Sequence, residues 1–400
     1  MLWNFSGGEI ASLLLAGLLP LVCAIIIIPI LIHLDKKNHL TAIPNSRSSH
    51  VQAVSNIGGI GIFISAVIGV SSVLLFPLSN QMVVLFSTFI AIFLIGVKDD
   101  VFESGPYFKL VAQLLVAIVL TLGSGIKIES LYGLFGIYEL PEYLSISLTV
   151  LIITVIMNSV NFIDGIDGLA ALIGIVGLGV AGTFFYFGGA FDFALIALAI
   201  ISALAGFLRY NFSLKQKVFM GDTGSLLIGL AFSVFVLKLW SLYGTVPVTW
   251  LPQNPLWVMS LVLVPVFDFI RVFLIRISNG KSPVRADRNH IHHVLVDHCH
   301  LSHKEAAWTL SIISLMLMGI TLILCYSQYW ILVFFWYSII FIIHTFILHQ
   351  IQKIALQKAS MFPHDHLMIH KDLLNANLKK VRLLAKYRKS LVNDGHKKYA

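Results

Sequence analysis

Apolar runs of about 18 residues or more recur along most of the chain, each long enough to cross the roughly 30 Å hydrocarbon layer of a bilayer as a helix. The composition agrees: of 400 residues, 58% are hydrophobic and 12% charged. A soluble multi-domain protein is excluded. The runs predict an all-α polytopic membrane protein with eleven transmembrane helices, over residues 10–33, 56–77, 81–97, 108–124, 143–158, 168–187, 191–208, 224–240, 255–275, 306–326 and 330–350. The first run, Ile10–Leu34, is too long for the apolar region of a signal peptide and ends in Asp35-Lys36-Lys37 without a cleavage pattern, so it reads as an uncleaved span. Cys23, Cys299 and Cys325 have no CxxC spacing and suggest no disulfide framework.

Eleven spans place Lys36, Lys37, Arg47, Lys98, Lys109, Arg209, Lys215, Lys217, Arg276, Lys281, Arg285, Arg288 and Lys304 on one face with the C-terminus. Only Lys127 and Lys238 fall opposite. Cytoplasmic loops of membrane proteins carry the excess of Lys and Arg, which predicts the N-terminus outside and the C-terminus in the cytoplasm. The chain divides into a membrane body, 1–351, and a basic tail, 352–400. Leu373, Leu374, Leu378, Val381, Leu384 and Ala385 recur in that tail at helical spacing. It reads either as an amphipathic helix on anionic lipid or as an ordinary solvated tail. The net charge of +8 comes mainly from this tail, so nucleic acid is not an expected partner. On the other face, Gly125–Tyr143 has the alternation of a small hairpin, and Gly244–Pro255 reads as an irregular loop. Gly177-Leu178-Gly179-Val180-Ala181-Gly182 matches a dinucleotide-binding pattern, but no strand precedes it. Close helix packing explains it better.

The polar residues that need explaining cluster on the basic face. Between two spans lies Asn158-Ser159-Val160-Asn161-Phe162-Ile163-Asp164-Gly165-Ile166-Asp167-Gly168. Carboxylates at a bilayer boundary cost free energy unless they meet water, a cation or a donor. Here no Lys or Arg stands nearby in sequence to pair them, so either a solvated turn or a metal ion with a phosphorylated ligand is expected. Gly96-Val97-Lys98-Asp99-Asp100 sets two carboxylates side by side, where they repel unless a cation or proton is shared, and Lys109 follows. Arg209-Tyr210-Asn211 and Val218–Ser225 come next; there Asp222 is either a ligand or a plain N-cap. The last such loop, 276–304, holds Arg276, Arg285, Arg288, His290, His292 and His293, then His298, Cys299, His300 and His303. Its spacing fits no standard zinc site, whereas arginine forks suit phosphate. Carboxylates, amides and arginines on one membrane face are the parts of a magnesium-assisted phosphoryl transfer.

These motifs resemble the polyprenyl-phosphate N-acetylhexosamine-1-phosphate transferase family, nearest its WecA/TagO-type branch. The resemblance covers about Ile10 to Leu348. It is carried by Gly58-Gly59, Gly96–Asp100 with Lys109, Asn161–Gly168, Val218–Ser225 and His290-Ile291-His292-His293. The first loop departs from the family at Ala42 and Ser55, where Asp and Pro are usual. The resemblance implies that N-acetylhexosamine-1-phosphate, most simply GlcNAc-1-phosphate, passes from a UDP-N-acetylhexosamine to undecaprenyl phosphate with release of UMP. Such a reaction is the first membrane step of a surface polysaccharide such as O-antigen. It further implies a bacterial plasma membrane location with a cytoplasmic site, Mg²⁺ or Mn²⁺ as the metal, and leaves a homodimer open. Asn161 and Asp222 are then the metal ligands. Asp99 and Asp100 stand by the acceptor phosphate, and Lys109 holds phosphate oxygens. Asp164, Asp167 and Asn211 go to the nucleotide, Asp164 also counting among the catalytic groups. Arg276, Arg285, Arg288, His290, His292 and His293 go to pyrophosphate and sugar. Direct displacement and an Asp-linked intermediate both remain open. A secondary transporter would carry its ionisable groups near the midplane on repeated halves, and neither is visible here. A catalytically inactive lipid-phosphate binder is the other alternative.

Overall fold

The computed structural model describes residues 7–38, 54–70, 79–102, 104–243, 252, 254–282, 289–327 and 329–361. The chain forms two units, 1–42 with 54–345, and 43–53 with 346–400. The second is described only at 346–361, the last part of its helix. The helices are α1 (Gly7–Asn38), α2 (Gly58–Val70), α3 (Asn80–Phe102), α4 (Pro106–Ser124), α5 (Glu142–Ile163), α6 (Leu169–Phe187), α7 (Phe191–Asn211), α8 (Gly221–Leu242), α9 (Leu263–Ser278), α10 (Ile291–Cys299), α11 (His303–Cys325) and α12 (Trp330–Met361). A 3-10 stretch, Pro255–Val262, leads into α9. Among the described residues, ten segments are long and apolar enough to cross a membrane, and α2 is a shorter apolar helix at the place of the second expected span. The protein is an all-α, multi-pass membrane protein.

The centre of the bundle is α8, buried from Thr223 nearly without interruption to Leu242. Helices α2, α3, α5 and α6 pack around it. Small residues let the backbones close in: a Cβ at Gly229 would fall 2.7 Å from the Met157 Cα. The expected packing role of the Gly177–Gly182 stretch holds, since a Cβ at Gly177 would strike the Phe232 ring at 2.5 Å. Peripheral helices instead turn apolar side chains outward, as Leu14, Leu18, Val22 and Ile26 do on α1. A hydrophobic surface of that kind is stable against lipid tails.

The expected hairpin is present. Strands β1 (Ser130–Leu134) and β2 (Ile137–Glu139) pair antiparallel, with Leu134 opposite Ile137. Trp240 Nε1 donates to Ser130 O at 2.9 Å, which ties the hairpin to the C-terminal end of α8. Asp222 lies at the opposite end of that helix, roughly 27 Å away at 1.5 Å per residue. Alternating helix directions thus collect the C-termini of α3 and α5 and the N-termini of α4 and α8 at one end of the bundle.

Candidate active site

Those four helix ends meet around the Lys109 ammonium. Its Nζ lies 2.7 Å from Asp222 Oδ1, 3.3 Å from Asp99 Oδ2 and 3.2 Å from Asn161 Oδ1. Lys109 stands in the first turn of α4, where the helix dipole disfavours a cation; the oxygens of three other helices offset that. Asn161 turns its amide the other way, donating to Asp222 Oδ1 at 2.5 Å and to Ser225 Oγ at 2.7 Å. The Asp99 and Asp222 carboxyls also lie within hydrogen-bonding reach of each other. Asp222 is therefore no N-cap: α8 starts after Met220, and the Asp222 side chain makes no cap bond. The basic partner that was not visible next to it in sequence is Lys109, reaching across from another helix.

Asp100 does the capping. Its carboxylate accepts from Asp222 N at 2.8 Å, Thr223 N at 3.0 Å and Thr223 Oγ1 at 2.5 Å. It satisfies helix N–H groups that have no partner within α8. The two adjacent carboxylates thus separate their tasks, Asp99 facing Lys109 and Asp100 holding the start of α8. Glycines make this crossing possible. A Cβ at Gly96 would fall 2.4 Å from the Thr223 Cα, and one at Gly59 would fall 2.3 Å from the Gly224 nitrogen. Gly58 N and Gly59 N donate to Phe219 O and Met220 O. The Gly58-Gly59, Gly96–Asp100 and Val218–Ser225 motifs are one interlocked object. Ser55, one of the departures from the family pattern, forms a parallel bridge to Val218 in it.

The central stretch closes α5 and opens α6. Among the described residues nothing forms an ion pair with Asp164. Burial, then the charges of Asp222, Asp100 and Asp167, push its pKa well above the usual carboxylate range. Asp167 is different. Burial would raise it, but hydrogen bonds from His303 Nδ1 at 3.1 Å and Lys217 Nζ at 2.6 Å hold it below its ordinary value. The expectation that no basic residue pairs these carboxylates is therefore corrected for Asp167: Lys217 comes from the α7–α8 loop. Asn211 is buried and donates to Val218 O at 2.8 Å, bracing that same loop. A further polar rung lies beneath the cluster, where Asn158 donates to the buried Gln113 at 2.7 Å.

The histidine motif docks onto this turn. His292 is fully buried, and a Cβ at Gly165 would sit 2.1 Å from its Nε2. Burial and the neighbouring His293 hold the His292 pKa well below the ordinary histidine value, so the ring is neutral. Gly165→Ala should accordingly destabilise the protein by about 1–3 kcal/mol, the usual cost of overpacking. A lowered thermal midpoint in detergent checks this; an unchanged midpoint would mean that the two motifs do not touch. The His293 ring lies against His292, tilted at 48° with 4.2 Å between centroids. His290 is buried and lies parallel to the Phe162 ring, 5.5 Å between centroids. Arg276 is buried too; its guanidinium lies over Phe162 at 5.6 Å and its Nη2 is 3.4 Å from His290 Nε2. Arg285 and Arg288 lie outside the described residues.

Two ionisable residues of this region are hidden in the apolar run 255–275. Asp268 and Arg271, one turn apart on α9, are both 2% exposed or less and pair at 2.9 Å. An ionisable residue inside a span is by default a functional one, and that signal was available in the sequence. Lys217 and His303 carried no such signal, because their partner Asp167 is 50 and 136 residues away.

The donor set fits a magnesium ion. Mg²⁺ is usually held by one or two carboxylates, with waters and substrate phosphates completing the octahedron. Among the described residues no three or more His, Cys, Asp or Glu are arranged as a metal cage. Asp222 with the Asn161 amide oxygen is the sparse oxygen set that such an ion takes, the same two side chains that Lys109 meets here.

Comparison with known proteins bears on the same residues. The model of the family described as glycosyl transferase family 4 matches residues 82–240, which include Asp99, Lys109, Asn161 and Asp222 and end before Asp268. A probable undecaprenyl-phosphate N-acetylglucosaminyl 1-phosphate transferase of Bacillus subtilis (strain 168) is 32% identical over 337 residues, 84% of this chain and 90% of the relative. The undecaprenyl-phosphate alpha-N-acetylglucosaminyl 1-phosphate transferase of Haemophilus influenzae is 34% identical over 261 residues, 63% of this chain and 70% of its own. That of Escherichia coli (strain K12) is 26% identical over 298 residues, 74% and 79% of the two chains. The chain belongs to glycosyl transferase family 4, the polyprenyl-phosphate sugar-1-phosphate transferases that its motifs resemble.

Proposed function

We propose that the protein transfers GlcNAc-1-phosphate from UDP-GlcNAc to undecaprenyl phosphate and releases UMP. The observation that carries this reading is the convergence of Lys109, Asp99, Asn161 and Asp222 at one end of the bundle, in a chain whose relatives are named for that transfer. An oxygen of the acceptor phosphate attacks the β-phosphorus, the bond from that phosphorus to the bridging oxygen breaks, and UMP leaves with that oxygen. Asp222 and Asn161 would hold Mg²⁺, or Mn²⁺ in its place, which when bound screens the anionic reactants and stabilises charge on the leaving phosphate. Lys109 positions phosphate oxygens and keeps Asp99 and Asp222 from repelling one another. Asp99, at the same point, is placed to take a proton from the acceptor phosphate. Arg276 and His290 stand on the α9 side, where a diphosphate and sugar would lie.

UDP-GlcNAc labelled at the β-phosphorus tests the reading. Label should appear in the lipid product and the released nucleotide should be UMP. Release of UDP, with label absent from lipid, would show sugar transfer without its phosphate and overturn it.

Sidedness is part of the proposal: the site faces the cytoplasm of a bacterial plasma membrane, because Lys and Arg concentrate at that end. A reporter inserted after Lys281 should give a cytoplasmic signal and one near Tyr132 an exterior signal. The reverse pattern would place the site on the wrong side for a nucleotide sugar.

A further inference from the structure

Asp268 and Arg271 meet the histidine motif at several points. Asp268 Oδ2 is 2.7 Å from His290 Nδ1, and its Oδ1 accepts from Ile291 N at 2.9 Å. Arg271 donates from one nitrogen to Asp268 Oδ1 at 2.9 Å and to the Asn289 carbonyl. The pair therefore grips the residue before His290, the ring itself and the residue after it. All three side chains are at most 5% exposed. Both ring nitrogens are engaged: Nδ1 faces a carboxylate, which only accepts, so Nδ1 carries a proton. Nε2 then points toward Arg276, over Phe162, whose neighbour Asn161 touches Asp222. A buried ion pair is weak evidence for stability, and Arg271 Nε makes no hydrogen bond among the described residues, whereas the pair's other contacts all end on the motif nearest the carboxylate cluster.

We propose that Asp268 is a positioning residue for the transfer reaction, acting through His290, with Arg271 as its brace. The clamp fixes the ring's tautomer and its plane, so that Nε2 and Arg276 are presented together on the side where the UDP-sugar diphosphate binds. The proposal rests on the transferase reading of the site.

Steady-state transfer from UDP-GlcNAc to undecaprenyl phosphate in detergent tests it, with kcat and KM determined for each substrate. Asp268→Asn keeps the shape but can offer its NH₂ to Nδ1 and reverse the tautomer. It should lower kcat/KM for UDP-GlcNAc by about 10- to 100-fold, the usual effect of losing a group that orients a histidine, while the KM for undecaprenyl phosphate stays nearly fixed. Asp268→Glu, which restores the carboxylate, should recover part of the loss. In the double variant with His290→Ala, Asp268→Asn should add nothing, because it acts only through that ring. A merely structural Asp268 would instead give a loss that multiplies that of His290→Ala and follows the thermal midpoint. That result, or near-wild-type kinetics for Asp268→Asn, overturns the proposal. If Asp268→Asn does not accumulate, Arg271→Lys carries the same test, since it keeps the charge and loses the fork that reaches Asn289 O. Turnover by the wild-type chain separates the two levels. Its absence removes the transferase reading and the clamp's role with it; turnover with an indifferent Asp268 removes the clamp alone.

Discussion

Asp222→Asn should lower kcat by at least about three orders of magnitude at any practical Mg²⁺ concentration, since a metal's stabilisation of developing charge is worth several kcal/mol. One Asp222 oxygen is where Lys109 and the Asn161 amide both arrive, at 2.7 and 2.5 Å. The variant removes the negative charge that attracts both the ammonium and a divalent cation at this point, a charge that the neutral Asn161 amide does not supply. The fold, by contrast, should survive, because the start of α8 is held through the Asp222 and Thr223 backbone nitrogens by Asp100. A thermal midpoint near wild type with turnover lost is the expected pair of results. Near-wild-type rates would reduce Asp222 to a structural carboxylate.

Lys109→Met should be the more damaging change to stability. It leaves Asp99 and Asp222 in contact without the ammonium between them, at a place where Asp99 is 8% exposed. Removing one partner of a buried charge pair costs about 3–5 kcal/mol, and partial exposure at Asp222 brings the expected cost to the lower end. Turnover should fall as well, by about two to three orders of magnitude, the usual effect of losing one donor to developing charge. The variant also tests the metal without relying on activity. A ligand that binds only the folded state stabilises it by mass action. Mg²⁺ should therefore raise the thermal midpoint of Lys109→Met more than that of the wild type, where the ammonium competes for the same oxygens. An equal response of the two proteins to Mg²⁺ and to a chelator would place the metal elsewhere.

What could be read in the sequence followed the length scale of each interaction. Ten of the expected spans coincide with long helices within a few residues, because an apolar run is a local property that hydrocarbon enforces. The hairpin at Ser130–Glu139 was visible for the same reason. Asp99, Lys109, Asn161 and Asp222 stood out as polar groups at span boundaries, and the fold brings them to one point. Partners were not legible where they come from distant segments. Asp100 caps a helix 122 residues away, and no pattern around Gly96–Asp100 distinguishes that task from its neighbour's. Asp268 and Arg271 failed to register for another reason: an average over the run 255–275 stays apolar whatever two of its residues do. Reading ionisable residues inside spans one at a time would have found them. Gly59, Gly96 and Gly165 owe their place to the same distant contacts, since each admits the backbone or ring of another motif.

The proposed function makes the Lys109 crossing a metal-dependent site for sugar-phosphate transfer. It is tested most directly by the initial rate of GlcNAc-1-phosphate transfer in purified wild-type protein as Mg²⁺ is titrated in from a chelated start. Transfer should be absent without the ion, rise to saturation as it is added, and stay absent at every Mg²⁺ concentration in Asp222→Asn. Full transfer in the presence of chelator, or a saturating Mg²⁺ response that Asp222→Asn retains, would contradict it.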